Sequence, residues 1–550
     1  MKRILALFIT YQLLLIPSSW SQNIGIGTPT PAGKLHVKGA ANISQLIIDA
    51  NGTQSNTSPL MKLRNSLGTD LMWIHSDNVN NTFIGLNAGR VNNAAGGGTN
   101  NTFLGRDAGY SNTTGYWNSA IGVEALYSNT IGYYNTAHGI SALKFNTTGH
   151  SNTANGLNAL VQNTTGYSNT ATGRDALYSN TTGYWNTANG QGALLSNTIG
   201  HSNTAVGLNA LVFNTTGNFN TAIGRDALFS NTTGSENTAN GNGALLSNTT
   251  GFSNTANGVS VLKNNTSGVG NTAMGHEALY SNTTGYSNTA NGASALKSNI
   301  SGVSNTANGM NALGDNSIGS FNTATGSSAL NNNIDGASNT AYGASALHHL
   351  DMGDYNTAIG ANAGNSSGTT PSNLTALGYN AGQVASNSNR VEIGNSSVSW
   401  VGGETGWFLY SDQRIKDNIQ SNVPGLSFIN KLNPVTYNLN IHRQNIICGI
   451  SDTAQWEGKY DIERITQSGF IAQEVELAAL TSYYDFNGVQ APAGNDKLYS
   501  LQYASFVVPL VKAAQELSVR NDEQDVIIQT LTKRIEQLEA LISDEQLEKG

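Results

Sequence analysis

The chain has 550 residues, of which 11% are charged and 38% hydrophobic, against about 25% and about 45–50% in typical globular proteins. Its 62 glycines come with only 9 prolines, which excludes collagen, and 21 Tyr, 14 Phe and 7 Trp are too many large apolar residues for a disordered chain. A net charge of -8 gives nucleic acid nothing to bind, and the single Cys448 excludes an internal disulfide or a cysteine-based metal cluster.

The N-terminus reads as an export signal over residues 1–21. Lys2 and Arg3 precede an apolar run from Ile4 to Ile16, followed by Pro17 and the small residues Ser18, Ser19 and Ser21. The competing reading is a membrane anchor, but the run from Ile4 to Ile16 falls short of the roughly 20 residues needed to span a bilayer. The expectation is cleavage after Ser21, a secreted or cell-surface protein and no transmembrane span. Residues 22–77 form a lead-in. Its segment Ile24-Gly25-Ile26-Gly27-Thr28 to Leu35-His36-Val37 resembles the start of exported bacterial fibre proteins.

Residues 78–400 are dominated by a repeat. From Asn101 every seventeenth position is Asn, through Asn118, Asn135 and Asn152 to Asn356, sixteen copies without one insertion. Glycine follows four places after each, from Gly105 to Gly360. A period this strict marks a solenoid or an array. Two Gly and several Asn and Thr per unit disfavour helix, and so short a unit cannot hold two helices and their turns. The unit fits two or three short strands joined by tight turns, giving a β-solenoid or β-roll with one coil per repeat. Strands about 4.8 Å apart would make a rod of roughly 80 Å.

Position within the unit predicts packing. Ala two places after the lead Asn (Ala137, Ala154, Ala171) is fixed while its neighbours vary, so alternation puts Ala inside. A second fixed pair is Ala-Leu, as at Ala142-Leu143, with Leu kept through fourteen copies from Leu126 to Leu347. Adjacent strand residues face opposite ways unless a turn intervenes, so one of the pair is expected on a second surface, a seam between three chains. The repeated Asn suit side-chain ladders or left-handed turn positions. Copies led by Asn81, Asn101 and Asn356 end in Ala-Gly rather than Ala-Leu, as does a divergent copy at Ala381-Gly382, and read as caps. This region resembles the repeat heads of bacterial trimeric surface adhesins.

The rod promises no chemistry. Residues 101–364 hold 6 Lys/Arg and 10 Asp/Glu. Paired carboxylates would have to interrupt an uninterrupted repeat. His138, His150, His201 and His276 have no ligand spacing, so no metal and no cofactor is expected. The Asn-Thr-Thr triplets match a glycosylation sequon but are more simply turn sequence.

Composition changes after about residue 400: residues 411–550 hold 12 basic and 19 acidic residues. Four blocks follow in order: Ser411-Asp412-Gln413-Arg414-Ile415-Lys416-Asp417-Asn418-Ile419, Leu432-Asn433-Pro434-Val435-Thr436-Tyr437, Gly469-Phe470-Ile471-Ala472-Gln473-Glu474-Val475, and Tyr503 to Leu517. Residues 441–463 and 477–498 read as variable loops. The blocks resemble the self-cleaving intramolecular chaperone of phage endosialidases and related tail spikes. The resemblance implies a trimeric α+β chaperone over residues 401–516 that folds the upstream fibre and then cuts itself off. It assigns the catalytic pair to Ser411 and Lys416 and the cleaved bond to Tyr410–Ser411.

Serine is a weak nucleophile until a base takes its proton. Lysine is such a base only where burial or a positive neighbour disfavours its charge; Arg414 is a candidate neighbour. Five residues span about 140° on a helix, so Ser411 must precede the element bearing Lys416. The bland alternative is that Ser411-Asp412 caps a helix and Lys416 is solvated. Cys448, within Ile446-Ile447-Cys448-Gly449-Ile450, reads as a buried strand thiol. Residues 517–550 continue a pattern that starts at Tyr503, Val507 and Leu510 and runs through Ile528, Leu531, Ile535, Leu538 and Ile542 at spacings of four and three. That predicts a trimeric coiled coil.

The expectation is thus an exported homotrimeric surface fibre, for adhesion or surface structure, released from its chaperone by autoproteolysis. Its partners would be a cell-surface glycan or receptor. The alternative is a phage-type tail fibre binding a host receptor or polysaccharide, which an export signal disfavours.

Overall fold

The computed structural model describes residues 24–26, 35–37, 47–48, 56–365, 370–383, 388–399, 401–402, 409–450, 456–492 and 498–547. The expected export signal lies outside them. The chain divides into two compact units, residues 1–168 and 169–550.

In the first unit, β1 (Ile24–Ile26) and β2 (Leu35–Val37) pair in parallel. A hairpin of β3 (Met61–Arg64) and β4 (Asp70–His75) follows, and β4 lies antiparallel to β5 (Thr82–Ile84). From β5 the pairing becomes parallel, through β6 (Thr102–Leu104), β7 (Ser119–Ile121), β8 (Thr136–His138) and β9 (Thr153–Asn155). In the second unit the same ladder runs from β10 (Thr170–Thr172) to β21 (Thr357–Ile359), then β22 (Leu374–Leu377) and β23 (Arg390–Ile393). Thr stacks on Thr and Ala on Ala, coil upon coil. Each unit therefore holds a β-solenoid with one coil per repeat.

Each coil holds one three-residue strand, not two or three. The rest is a chain of turns, because left-handed residues recur in it: Trp117 (φ 53°), Glu124 (φ 60°) and Leu126 (φ 53°) within a single coil. The turns still bond from coil to coil, as Leu126 N to Ala142 O (3.0 Å), Ser128 N to Lys144 O (2.8 Å) and Thr130 N to Thr147 O (2.9 Å). Backbone donors that a turn leaves unpaired inside one coil are thus met by the next.

That geometry corrects the expected seam between chains. Ala142 and Leu143 are both 0% exposed, as are the pairs at Ala125-Leu126 and Ala159-Leu160. Leu143 has φ 51°, so the chain turns between the two residues and both enter one core. Burial of each Leu contributes about 1.5–3 kcal/mol, enough for a single-chain core to be filled without a second surface. The Ala two places after each lead Asn is also inside, as expected.

The Asn residues form two ladders. Asn118 Oδ1 accepts from Asn135 N (3.0 Å) and Asn135 Nδ2 (3.2 Å), and Asn135 Nδ2 also donates to Gly149 O (2.9 Å). The second column, eleven residues after the first, repeats this: Asn129 Nδ2 donates to Asn112 Oδ1 (2.7 Å) and Gly132 O (3.0 Å). Donors point to the preceding coil and acceptors to the following one. Neither Asn118 nor Asn129 has a positive φ, so the ladder explains them and the left-handed turn does not. Glycine at the shared position is obligatory: a Cβ on Gly132 would overlap Gly149 O and Asn129 Oδ1.

Among the described residues the first coil of the ladders has no preceding coil to receive its donors, and Asp77 supplies the acceptors. Its carboxylate accepts from Asn81 Nδ2 (2.7 Å), Asn92 Nδ2 (2.8 Å) and Asn56 Nδ2 (3.2 Å). Here Phe83 and Phe103 replace the strand Ala, stacked at 5.1 Å. They occupy the volume vacated by the absent Leu: a Cβ on Gly89 or Gly109 would run into their rings. The Ala-Gly copies led by Asn81 and Asn101 thus behave as a cap.

The C-terminal region is a small α/β structure ending in a long helix. Helices α1 (Leu426–Ile429), α2 (Ile441–Cys448), α3 (Ala472–Thr481) and α4 (Val507–Leu547) accompany two short antiparallel pairs, β24 (Val435–Tyr437) with β25 (Gln467–Gly469) and β26 (Val489–Gln490) with β27 (Ser500–Leu501). Phe428, Val475, Ala478, Ala479, Phe486 and Phe506 form its core. Glu516 on α4 accepts from Leu426 N at 2.8 Å and so holds α1 against the long helix.

Two expectations fail here. Residues expected to be loops include α2, the 3-10 turn Asp461–Arg464 and the end of α3. Cys448 is the last residue of α2 and half-buried, not a buried strand thiol. Asn440 caps the helix by accepting from Arg443 N (2.7 Å), and Gly449 ends it at φ 71°. Two good caps outweigh the β preference of three isoleucines.

Candidate self-cleavage site

The site is built from a single turn. Asp412 is extended (φ -68°, ψ 137°) and its carboxylate accepts from Arg414 N at 2.9 Å, starting a 3-10 turn over Gln413–Ile415. Lys416 leaves that turn in an extended conformation (φ -118°, ψ 118°). Ser411 and Lys416 thus flank one short turn, and their side chains meet: Lys416 Nζ donates to Ser411 Oγ at 2.6 Å. On a continuous helix the two would face different ways; here they converge, because Ser411 precedes the turn and Lys416 follows it.

Arg414 does not serve as the positive neighbour expected for Lys416. It closes on Asp412, with Nη2 2.6 Å from Oδ2, and Asp412 is held below the ordinary carboxylate range first by that side-chain bond. The guanidinium is spent within its own turn. Asp412 caps as the bland reading expected, yet Lys416 is engaged with Ser411. The Asp-x-Arg spacing is the signal that reveals the pairing, since an N-cap carboxylate aims at the N–H two residues on.

Every described residue from Leu409 to Gln420 is exposed, with Tyr410 at 97%. The other three blocks converge elsewhere. Gly469 lies so close to Tyr503 that a Cβ would overlap the phenol oxygen. Phe470 N donates to Tyr503 Oη (3.1 Å) and Asn433 Nδ2 to Glu474 Oε2 (3.3 Å). The glutamate contacts Asn433-Glu474 and Leu426-Glu516 carry no recognisable sequence signal, because they join residues 41 and 90 positions apart.

Residues 411–483 match the family model described as chaperone of endosialidase. The C-terminal segment is an intramolecular chaperone of that type. The family is one of self-cleaving serine peptidases, and the match opens on Ser411. The chaperone segment behind a β-solenoid fits a trimeric, fibre-like protein. No curated protein matches the chain. The block from Tyr503 onward lies beyond the matched residues but within the same core, through Phe506. Among the described residues there is no cluster of His, Cys, Asp and Glu able to hold a metal, and no helix long and apolar enough to cross a membrane.

Proposed function

We propose that the protein is an exported homotrimeric surface fibre whose chaperone segment drives trimerisation and is released by cleavage between Tyr410 and Ser411. The observation that carries this is the 2.6 Å contact of Lys416 Nζ with Ser411 Oγ, at the first residue of a self-cleaving family match.

The chemistry follows from the two groups. A neutral Lys416 amine takes the proton of Ser411 Oγ, which attacks the Tyr410 carbonyl carbon. The tetrahedral centre collapses with rupture of the Tyr410–Ser411 C–N bond, and the proton on Lys416 passes to the departing Ser411 amine. Water then hydrolyses the ester, freeing the Tyr410 carboxylate and the Ser411 hydroxyl. Proximity within one turn supplies much of the acceleration. An ammonium cannot accept a proton, and exclusion of water is what favours the amine. Ser411 and Lys416 are exposed among the described residues, and in the proposed trimer neighbouring chains supply the covering surface. Cleavage thereby reports assembly.

Helix α4 supports the assembly. Leu517, Ile528, Leu531, Ile535, Leu538 and Ile542 are each about half exposed, 48% to 58%, along 41 residues of helix. Such a stripe calls for a coiled-coil partner, and three copies of this chain provide it. The rod's task is adhesion or surface structure.

The test is a gel of the full chain beside Ser411→Ala and Lys416→Ala. A 140-residue C-terminal fragment beginning at Ser411 is expected from the wild type and from neither variant. Fragments of equal yield in all three remove the assignment.

A further inference from the structure

One position of the repeat breaks the economy of the rest. The residue before each lead Asn takes a left-handed conformation and is exposed or half-buried. In many copies it is Ser, as Ser151 (φ 57°) and Ser168 (φ 53°). In two consecutive coils of the first unit it is aromatic: Trp117 (φ 53°) and Tyr134 (φ 56°), 50% and 45% exposed. A bulky aromatic is a poor choice for that backbone and for water. Neither folding rule asks for it, since Ser serves elsewhere.

The rings form an ordered platform. Tyr116 and Tyr133, one place earlier, stack at 5.0 Å with planes 2° apart, and Tyr133 stacks on His150 at 4.7 Å. Trp117 stands at 68° to Tyr116, and Tyr134 at 72° to Tyr133, while Trp117 and Tyr134 lie 4.7 Å apart. The stacked column fixes its own ring normals along the coil-to-coil direction. The outer two rings are turned away from it and present faces sideways. Backbone bonds from Trp117 N to Thr99 O (3.0 Å) and Tyr134 N to Tyr116 O (3.1 Å) hold the platform rigid. Asn100 and Ser151, at the same position of the flanking coils, border it with exposed polar groups. No Asp, Glu, Lys or Arg occurs in residues 108–123, 125–143 or 145–168. The second unit repeats the motif, with Trp185 60% exposed and at 79° to Tyr184.

We propose that the edge carrying Trp117 and Tyr134 binds a neutral glycan chain. Ring faces are electron-rich and meet the C–H face of a pyranose, while amide and hydroxyl groups at the border serve its hydroxyls. The charges that these coils do carry are paired, Arg106 with Asp107 at 3.6 Å and Lys144 with Glu124 at 2.7 Å, which leaves an acidic polysaccharide no free cation. The site rests on the surface-fibre reading and supplies its ligand class.

The test uses the full chain with amylose, laminarin and galactomannan as neutral probes and polygalacturonate as the charged comparator. Binding is read by retardation in affinity electrophoresis and by tryptophan fluorescence. At least one neutral polymer is expected to retard the wild type. Trp117→Ser with Tyr134→Ser, which installs the repeat's own residue, should weaken that binding at least tenfold. Ile131→Thr, an exposed apolar residue elsewhere on the coil, should leave it unchanged. Three outcomes overturn the proposal: binding of no neutral polymer, binding of polygalacturonate alone, or undiminished binding by the double variant. Conversion of a sedimenting trimer to monomers by the double variant also overturns it, because the edge would then lie between chains. The fragment gel on the same samples separates the readings. A protein that cleaves and trimerises but ignores every neutral polymer loses this site and keeps its fibre role.

Discussion

A single ladder asparagine controls several bonds at once. Asn197 Nδ2 donates to Asn180 Oδ1 (2.8 Å) and Gly200 O (2.9 Å), while its Oδ1 accepts from Asn214 (2.8 Å). Asn197→Ala orphans partners on both sides, each at about 1–3 kcal/mol; a lowered thermal midpoint checks this. The N-terminal cap is sensitive to acid at two residues. His75 is buried, neither ring nitrogen meets a well-formed hydrogen-bond partner among the described residues, and burial pushes its pKa down, against the weaker opposing pull of Asp77 and the Ala88 backbone. Its neutral form is the one the fold accepts. Cap stability is therefore full above the ordinary value of 6.5 and declines as pH falls below it. Asp70 acts lower. Its bond to Arg64, then those to Lys62 and Trp73, hold its carboxyl at about 2, so its contribution is present above 3.8 and lost as pH falls through about 2. Hydrogen exchange in β3 and β4 should show both steps, with His75→Phe deleting the upper and Asp70→Asn the lower.

Elements show how much of the fold is legible in the sequence. The repeat period, the inward Ala and the Asn ladder followed from position alone, because each recurs identically and needs only strand alternation and amide chemistry. The inward Leu did not. Nothing in the letters Ala-Leu announces the left-handed backbone found at Leu126, Leu143 and Leu160, a conformation Leu rarely takes. The cap at Asp77 was equally silent, since its partners Asn81 and Asn92 differ from later ladder residues only in what precedes them. At the site, the Ser411–Lys416 pair came from resemblance, and its turn from local geometry; the diversion of Arg414 to Asp412 is readable in the Asp-x-Arg spacing. The four-and-three apolar spacing of α4 is visible in the sequence, and the long helix is there. Ile535→Lys places a charge in the proposed seam and should shift sedimentation from trimer to monomer at micromolar concentration, with the helix retained by circular dichroism.

At the scale of the whole molecule, the proposed function couples assembly to chemistry. Lys416 and Ser411 touch in one chain, yet none of the described residues shields them from water. Appearance of the 140-residue fragment should accordingly slow on dilution more steeply than a first-order reaction permits, and Ile535→Lys should suppress it although both side chains are intact. Equal first-order rates across a hundredfold dilution would detach cleavage from assembly.

The ladders also make the repeats interchangeable. Each coil offers its successor the same acceptors and asks of its predecessor the same donors, so excision of residues 186–202 joins Trp185 to Asn203 and regenerates the asparagine ladder bonds. Removal of one residue more or one fewer would not. Gain or loss of a whole repeat therefore preserves the ladder, so the number of coils is free to change while the backbone of each coil stays the same.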